Sequence, residues 1–293
     1  MTRWLVTGAR GMLGQDVMAA LRARRETVMG LGRREFDVTD EAAVRAVIGD
    51  YRPGIVVNCA AWTAVDAAEA DEQAALRVNG LGAEHLAAAC AETGARMVQI
   101  STAQVFAGDA VRPYREDDPP APRTSYGRTK LAGERAVLGL LPDAGLVLRT
   151  AWLYGGAGPS FVHTMIRLAG TETAVAAVAD QRGQPTWTAD VAVQAIGLSV
   201  LGAAGIYHAT SSGETTRFGL AREIFTLLGA DQDRVRPMTS EAFPRQAPEP
   251  AWCVLGHARH AAAGLTPIGD WRLALHRAWP VLAAWQARES GPR

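Results

Sequence analysis

Tyr126 and Lys130 stand four residues apart in Tyr126-Gly127-Arg128-Thr129-Lys130. That is one helical turn, so phenol and ammonium share a face. A phenol alone gives up its proton reluctantly near neutrality, its ordinary pKa being about 10. A cation beside it favours the phenolate, and the pair can then hand a proton to an alkoxide as it forms. The plain alternative is a solvated Tyr and Lys on an exposed helix. Lys130 is the one lysine beside 29 arginines, and an arginine supplies charge without the same compact, rotatable donor. Thr102, at the end of an apolar run, offers a hydroxyl to a substrate carbonyl, or equally a polar cap to a strand end.

A second spacing lies at the N-terminus, where Gly8-Ala9-Arg10-Gly11-Met12-Leu13-Gly14 reads GxxGxxG between an apolar run and a helical one. Such glycines let the backbone turn tightly against a pyrophosphate that a helix N-terminus holds, which points to a dinucleotide cofactor. The alternative is an ordinary glycine-containing turn. Further on, Gly32-Arg33-Arg34 stands where an acid would select NAD, so NADPH is favoured through Arg33, with NADH left open by Glu35 one residue away. Asp37 and Val38 follow at a distance suited to the adenine edge. With a cofactor in place, Lys130 can also hold its nicotinamide ribose.

The elements needed to position these groups are legible. Strands are expected at 3–7, 27–31, 55–59, 97–101 and 146–148, and helices at 12–24, 40–51, 73–92 and 126–140. Alternation this regular predicts α/β architecture: a doubly wound, Rossmann-like parallel sheet with a smaller, irregular C-terminal substrate-binding region. The expected division is a dinucleotide-binding domain over 1–155, with 186–210 returning to it, and a substrate-binding region over 156–185 and 211–293.

Thirty cations balance thirty acids, which argues against a nucleic-acid partner. No apolar stretch is long enough to span a membrane, and the start lacks a signal-peptide pattern. Cys59, Cys90 and Cys253 show no CxxC spacing and the histidines no ligand cluster, so neither disulfides nor a metal site is expected. A cytoplasmic protein follows, with a homodimer left open.

Taken together, the glycine turn, Thr102 and the Tyr126–Lys130 pair resemble the extended short-chain dehydrogenase/reductase family. Within it the chain is similar to the dTDP-4-dehydrorhamnose reductases, which reduce NDP-4-keto-6-deoxyhexoses. The matching segments are 58–66, Val78-Asn79, Tyr126 to Lys130 with Gly133-Glu134, 149–155, Phe161 to Met165 and Asp180 to Thr186. The resemblance implies an NADPH-dependent reductase of a nucleotide-activated, dTDP-type 4-keto-6-deoxyhexose, in rhamnose or natural-product deoxysugar biosynthesis. It makes Thr102, Tyr126 and Lys130 catalytic, with Tyr126 the proton donor. It assigns the cofactor to Gly8, Gly11, Met12, Leu13, Gly14, Asp37, Val38, Ala60, Ala61 and Thr63. Val65, Gln104 and Trp152 would then face the nucleotide-sugar substrate, Trp152 otherwise being a core aromatic.

Two segments depart from the family pattern. Ala103-Gln104 replaces Asp-Tyr after the catalytic Thr, and Glu249 stands where an Arg is usual. Exchanging Arg for Glu weakens the grip expected on an anionic sugar nucleotide. Both changes fall on the substrate side, which points to an altered sugar or stereochemistry. Ala103 and Gln104 cannot move protons as an Asp–Glu pair would, which rejects a 4,6-dehydratase. Two alternatives remain: a non-catalytic binding module like the regulatory subunit of methionine adenosyltransferase, and a 4-epimerase.

Overall fold

The computed structural model describes residues 2–243 and 245–289. Its centre is a six-stranded parallel sheet built from β1 (Arg3–Thr7), β2 (Thr27–Leu31), β3 (Ile55–Asn58), β4 (Arg96–Thr102), β5 (Gly145–Thr150) and, much later, β10 (Gly205–His208). The spatial order is β10-β5-β4-β3-β1-β2. The chain thus reverses direction across the sheet between β1 and β3, the switch point where open α/β sheets bind ligands.

Both sheet faces are covered, and residue alternation along the strands explains why. Trp4 and Val6 of β1, Ile55 and Val57 of β3, and Val98 and Ile100 of β4 point to one side. They pack with α1 (Met12–Ala23) and α8 (Thr188–Val200). Leu5, Val56 and Met97 point to the other side, where α2 (Glu41–Tyr51), α5 (Gly82–Thr93) and α6 (Ser125–Leu140) supply Ile48, Leu86 and Val137. Each such aliphatic side chain, fully buried, contributes about 1.5–3 kcal/mol. The α2 helix begins where a cap dictates: Asp40 accepts from the Ala43 N–H at 3.0 Å.

The helix expected over 73–92 is not continuous. The chain forms α3 (Val65–Ala70) and α4 (Glu72–Leu76), then a π-helical turn at Arg77–Leu81 before α5. The cause is Asn79. Its amide oxygen accepts from the Trp62 N–H at 2.9 Å, and its amide nitrogen donates to the Trp62 carbonyl at 3.1 Å and to the Thr129 hydroxyl at 3.1 Å. Widening this turn aims Asn79 at the loop after β3 and fixes that loop against α6.

Beyond β5, short strands form two-stranded pairs: β6 (Leu153–Tyr154) with β9 (Thr186–Trp187), β8 (Arg182–Gly183) with β11 (Thr215–Thr216), and β7 (Val175–Val178) with β12 (Val235–Met238). With α7 (Phe161–Ala169), α9 (Arg217–Leu227) and α11 (Trp271–Glu289) they enclose a second core around Tyr154, Ile166, Phe225, Trp271 and Leu282. A short α10 (Ala258–Ala262) lies between them in sequence. Among the described residues, no helix is long and apolar enough to cross a membrane.

Candidate functional site

A continuous groove runs along the C-terminal ends of β1 to β5. Its first part is a cavity of about 370 Å³ lined by Gly8, Gly32, Arg33, Asp37 and Val38, among others. The second part, about 630 Å³, holds Met12, Leu13, Gly14, Thr63, Val65, Thr102, Gln104, Tyr126, Lys130 and Trp152. Arg10, Gly11, Cys59, Ala60 and Ala61 line both. Every residue assigned from the sequence to cofactor, catalysis or substrate therefore lines one of these two adjoining cavities, whereas Arg34, Glu35 and Ala103 line neither.

At the switch point the two loops touch. Gly8 has φ +63°, and a Cβ there would lie 2.6 Å from the Ala60 nitrogen. A Cβ on Gly14 would lie 2.2 Å from the Gly8 carbonyl oxygen. Only glycine allows α1 to approach β1 and β3 this closely. The α1 N-cap, Gly11, makes no side-chain cap hydrogen bond, so first-turn N–H groups remain for an anion. This cradle fits the diphosphate of a dinucleotide. Beneath it, buried side chains cross the strand ends: Thr7 donates to Asn58 at 2.6 Å and Asn58 to Gln99 at 2.8 Å.

Glu35, the acid that left NADH open, is engaged. It pairs with Arg10 and accepts from the Gly32 N–H at 3.0 Å. Asp37 is turned onto its own loop, accepting from the Thr39 N–H at 2.9 Å and hydroxyl at 2.8 Å. Arg33 thus lines the groove beside carboxylates already held.

The chemical groups meet where β4 ends and α6 begins. Thr124 caps α6 by accepting from the Gly127 N–H at 3.0 Å, and donates to the Gln104 side-chain oxygen at 3.1 Å. The Gln104 N–H in turn donates to the Thr102 hydroxyl at 3.2 Å. Gln104 thereby ties the start of α6 to the end of β4. Lys130 is 3% exposed and donates to the Ile100 carbonyl at 2.6 Å.

The expected lowering of the Tyr126 pKa by Lys130 is reversed. Although Tyr126 keeps some exposure along the cavity, the protein around its phenol disfavours the phenolate and pushes the pKa up to about 12; a hydrogen bond from Thr102 opposes this only in part. Lys130 turns its ammonium to Ile100, and burial draws its own pKa down to about 8, with Glu134 and then Cys59 opposing. The outcome is a phenol that stays loaded with its proton.

The substrate end contains residues that sequence reasoning missed. Arg217, at the start of α9, stacks its guanidinium 3.9 Å from the Trp152 ring centroid. Arg245 hydrogen-bonds Asp66 at 2.9 Å and Glu249 at 3.0 Å, and Glu249 also pairs with Arg217 at 3.5 Å. Burial draws the Arg217 guanidinium below its usual value, which Glu249 offsets. Glu249, expected from the sequence to weaken the grip on an anionic sugar nucleotide, stands between two cavity-lining arginines and offsets part of their charge. Trp152 faces the cavity with a left-handed backbone, φ +43°, a conformation costing about 1–3 kcal/mol in a non-glycine residue. Among the described residues, no group of three or more His, Cys, Asp or Glu could hold a metal.

A doubly wound parallel sheet with a dinucleotide cradle at its switch point and a Thr–Tyr–Lys set beside it defines an extended short-chain dehydrogenase/reductase. Residues 2–283 match the model of the RmlD substrate binding domain, and the chain belongs to that family, the dTDP-4-dehydrorhamnose reductases. It is 54% identical to the dTDP-4-dehydrorhamnose reductase of Streptomyces griseus, across 99% of this chain and 98% of that one. It is 51% identical to the dTDP-4-keto-6-deoxy-D-glucose reductase of Streptomyces niveus, across 96% and 98%. Among solved structures, the dTDP-4-dehydrorhamnose reductase of Bacillus anthracis in complex with NADP superposes with a TM-score of 0.92 at 34% identity, covering 95% of this chain and 98% of that one.

Proposed function

We propose that this chain uses NADPH to reduce the 4-keto group of a dTDP-linked 4-keto-6-deoxyhexose. The observation that carries the reading is the meeting of Thr102, Tyr126 and Lys130 with the uncapped N-terminus of α1 in one cavity. Identity above 50% to two reductases of such sugars supports it.

In this reading Gly8, Gly11, Met12, Leu13 and Gly14 hold the diphosphate of the cofactor, and Arg33 holds its 2′-phosphate. Asp37 and Val38 flank the adenine, and Ala60, Ala61 and Thr63 line the path to the nicotinamide. When bound, the cofactor supplies a hydride to C4 of the sugar. Tyr126 gives its phenolic proton to O4 as the carbonyl becomes an alcohol, and Thr102 hydrogen-bonds the same oxygen. Lys130 stabilises the phenolate left behind until Tyr126 recovers a proton from solvent. Val65, Gln104 and Trp152 line the sugar's place. We assign 2–155 with 186–210 to the cofactor side and 156–185 with 211–289 to the substrate side, while the expected extension to 290–293 lies outside the described residues; Arg217, Arg245 and Glu249 at the sugar end support that division.

Steady-state oxidation of NADPH with freshly prepared dTDP-4-keto-6-deoxyhexoses tests the reading, with NMR of the product at C4. Stoichiometric NADPH loss and a C4 alcohol are expected. Conversion between C4 epimers without net NADPH loss would identify an epimerase, and binding without turnover a regulatory module.

A further inference from the structure

Glu134 has no part in the chemistry just described, yet it is fully buried beside it. Tyr126, Lys130 and Glu134 follow one another at four-residue intervals along α6 and so share the face turned to the sheet. Glu134 is 1% exposed. Its carboxylate accepts from the Ser101 hydroxyl on β4 at 2.5 Å, and from Arg149 on β5 at 2.7 Å through Nη2 and 3.0 Å through Nε. Ser101 sits between the two β4 residues that matter: Ile100, whose carbonyl holds the Lys130 ammonium, and Thr102, the hydroxyl partner of Tyr126. Arg149 precedes Thr150, which lines the cavity. One carboxylate thus joins three elements at the level where the reacting groups meet.

We propose that Glu134 is a positioning residue: paired to Arg149 and bonded to Ser101, it locks α6 to β4 and β5 so that Lys130, Tyr126 and Thr102 keep their mutual spacing. The proposal rests on the reductase reading. A buried ion pair kept only for the fold would stabilise the protein without acting on Lys130. Glu134 lies one turn from Lys130, and its negative charge opposes the desolvation of that ammonium. Tyr126 shares its helix, and burial raises both the Tyr126 phenol and the Cys59 thiol to about 12, so these stay neutral. Arg149 on β5 faces Glu134 and takes up part of its field. Removing the carboxylate therefore lowers the Lys130 pKa further, and Lys130 loses its proton at a lower pH.

The test compares pH profiles of kcat for wild type, Glu134→Gln, Glu134→Asp and Ser101→Ala, with circular dichroism and Tm for each. In wild type the basic limb is expected near the Lys130 value of about 8. In Glu134→Gln we expect kcat to fall about tenfold and the basic limb to move down by about one pH unit, with KM for NADPH within about twofold. Glu134→Asp should restore the position of the limb even if the rate recovers only in part, because the charge is kept. Ser101→Ala should lower kcat without moving the limb. A folded Glu134→Gln enzyme with an unmoved limb and wild-type kcat overturns the proposal. If Glu134→Gln does not fold, Glu134→Gln with Arg149→Met removes the buried pair as a unit; the two opposite charges leave together, so its limb should move by less than one pH unit while kcat still falls, and a wild-type kcat would overturn the proposal. Wild-type inactivity toward every dTDP-4-keto sugar would instead sink the reductase reading.

Discussion

Lys130 donates its ammonium to the Ile100 carbonyl at 2.6 Å, two residues before Thr102 on the same strand. A helix residue and a strand end are thereby held together by one compact donor. A guanidinium is larger and planar, so at this buried position it does not reproduce the single compact contact with the Ile100 carbonyl. Lys130→Arg is expected to lower kcat/KM about a hundredfold. Steady-state kinetics with the melting temperature checks this; near-normal turnover would mean the lysine is incidental.

Tyr126 supplies the proton in this account and little of the binding. Tyr126→Phe should lower kcat about 10²- to 10⁴-fold, the usual contribution of a positioned acid. Its affinity for NADPH, read by fluorescence titration, should stay within about twofold of wild type. Because the phenol is pushed up to about 12, the basic limb of kcat is expected to follow Lys130, drawn down to about 8, and to keep its position in any residual activity of Tyr126→Phe.

Glu249 competes with the substrate for cations. With Arg217 on one side and Arg245 on the other, its carboxylate neutralises charge that a diphosphate would otherwise use. Glu249→Gln is expected to lower KM for the sugar nucleotide about threefold to tenfold at low salt, by about 0.7–1.4 kcal/mol, and to leave KM for NADPH unchanged. A raised KM would show that Glu249 itself contacts the sugar.

Cofactor choice should depend on Arg33. Glu35 is engaged by Arg10 and the Gly32 N–H, so the groove presents a cation where the 2′-phosphate would lie. Arg33→Ala is expected to raise KM for NADPH about tenfold or more while changing KM for NADH little. Equal effects on both cofactors would contradict that placement.

Acid should destabilise the fold through buried histidines. Burial holds His208 neutral, its pKa drawn from the ordinary 6.5 to about 3, and draws that of His257 to about 4. Above 6.5 neither state binds the extra proton, and stability is fully present. Below 6.5 the unfolded chain takes up protons the folded one excludes, so stability falls by about 1.4 kcal/mol per pH unit for each histidine until the folded values are reached. Denaturant titrations between pH 7 and pH 5, about two units apart, should show this loss, and His208→Gln should reduce its slope.

The sheet and its glycine turn were legible because buried strands and amphipathic helices leave strong periodic patterns. The π-helical turn at Arg77–Leu81 was not, because an Ala- and Leu-rich run continues through it; the bonds from Asn79 to Trp62 that widen it are tertiary. Arg217 and Arg245 were hidden for another reason. They are two of 29 arginines, far from Thr102 in sequence, and only folding brings them to Trp152 and Glu249. The direction of the Tyr126 shift was hidden because spacing reveals a cation one turn away but neither the burial that raises the phenol nor the turn of that ammonium toward Ile100.

In the proposed reaction a hydride reaches the sugar's C4 while Tyr126 supplies the proton. The most direct measurement is a single turnover of a dTDP-4-keto-6-deoxyhexose with NADPH deuterated at the transferable position, read by NMR and mass spectrometry. One deuterium is expected on C4 of the alcohol in wild type, with a strongly slowed transfer in Tyr126→Phe. Product without deuterium at C4, or equal rates in the two enzymes, would contradict it.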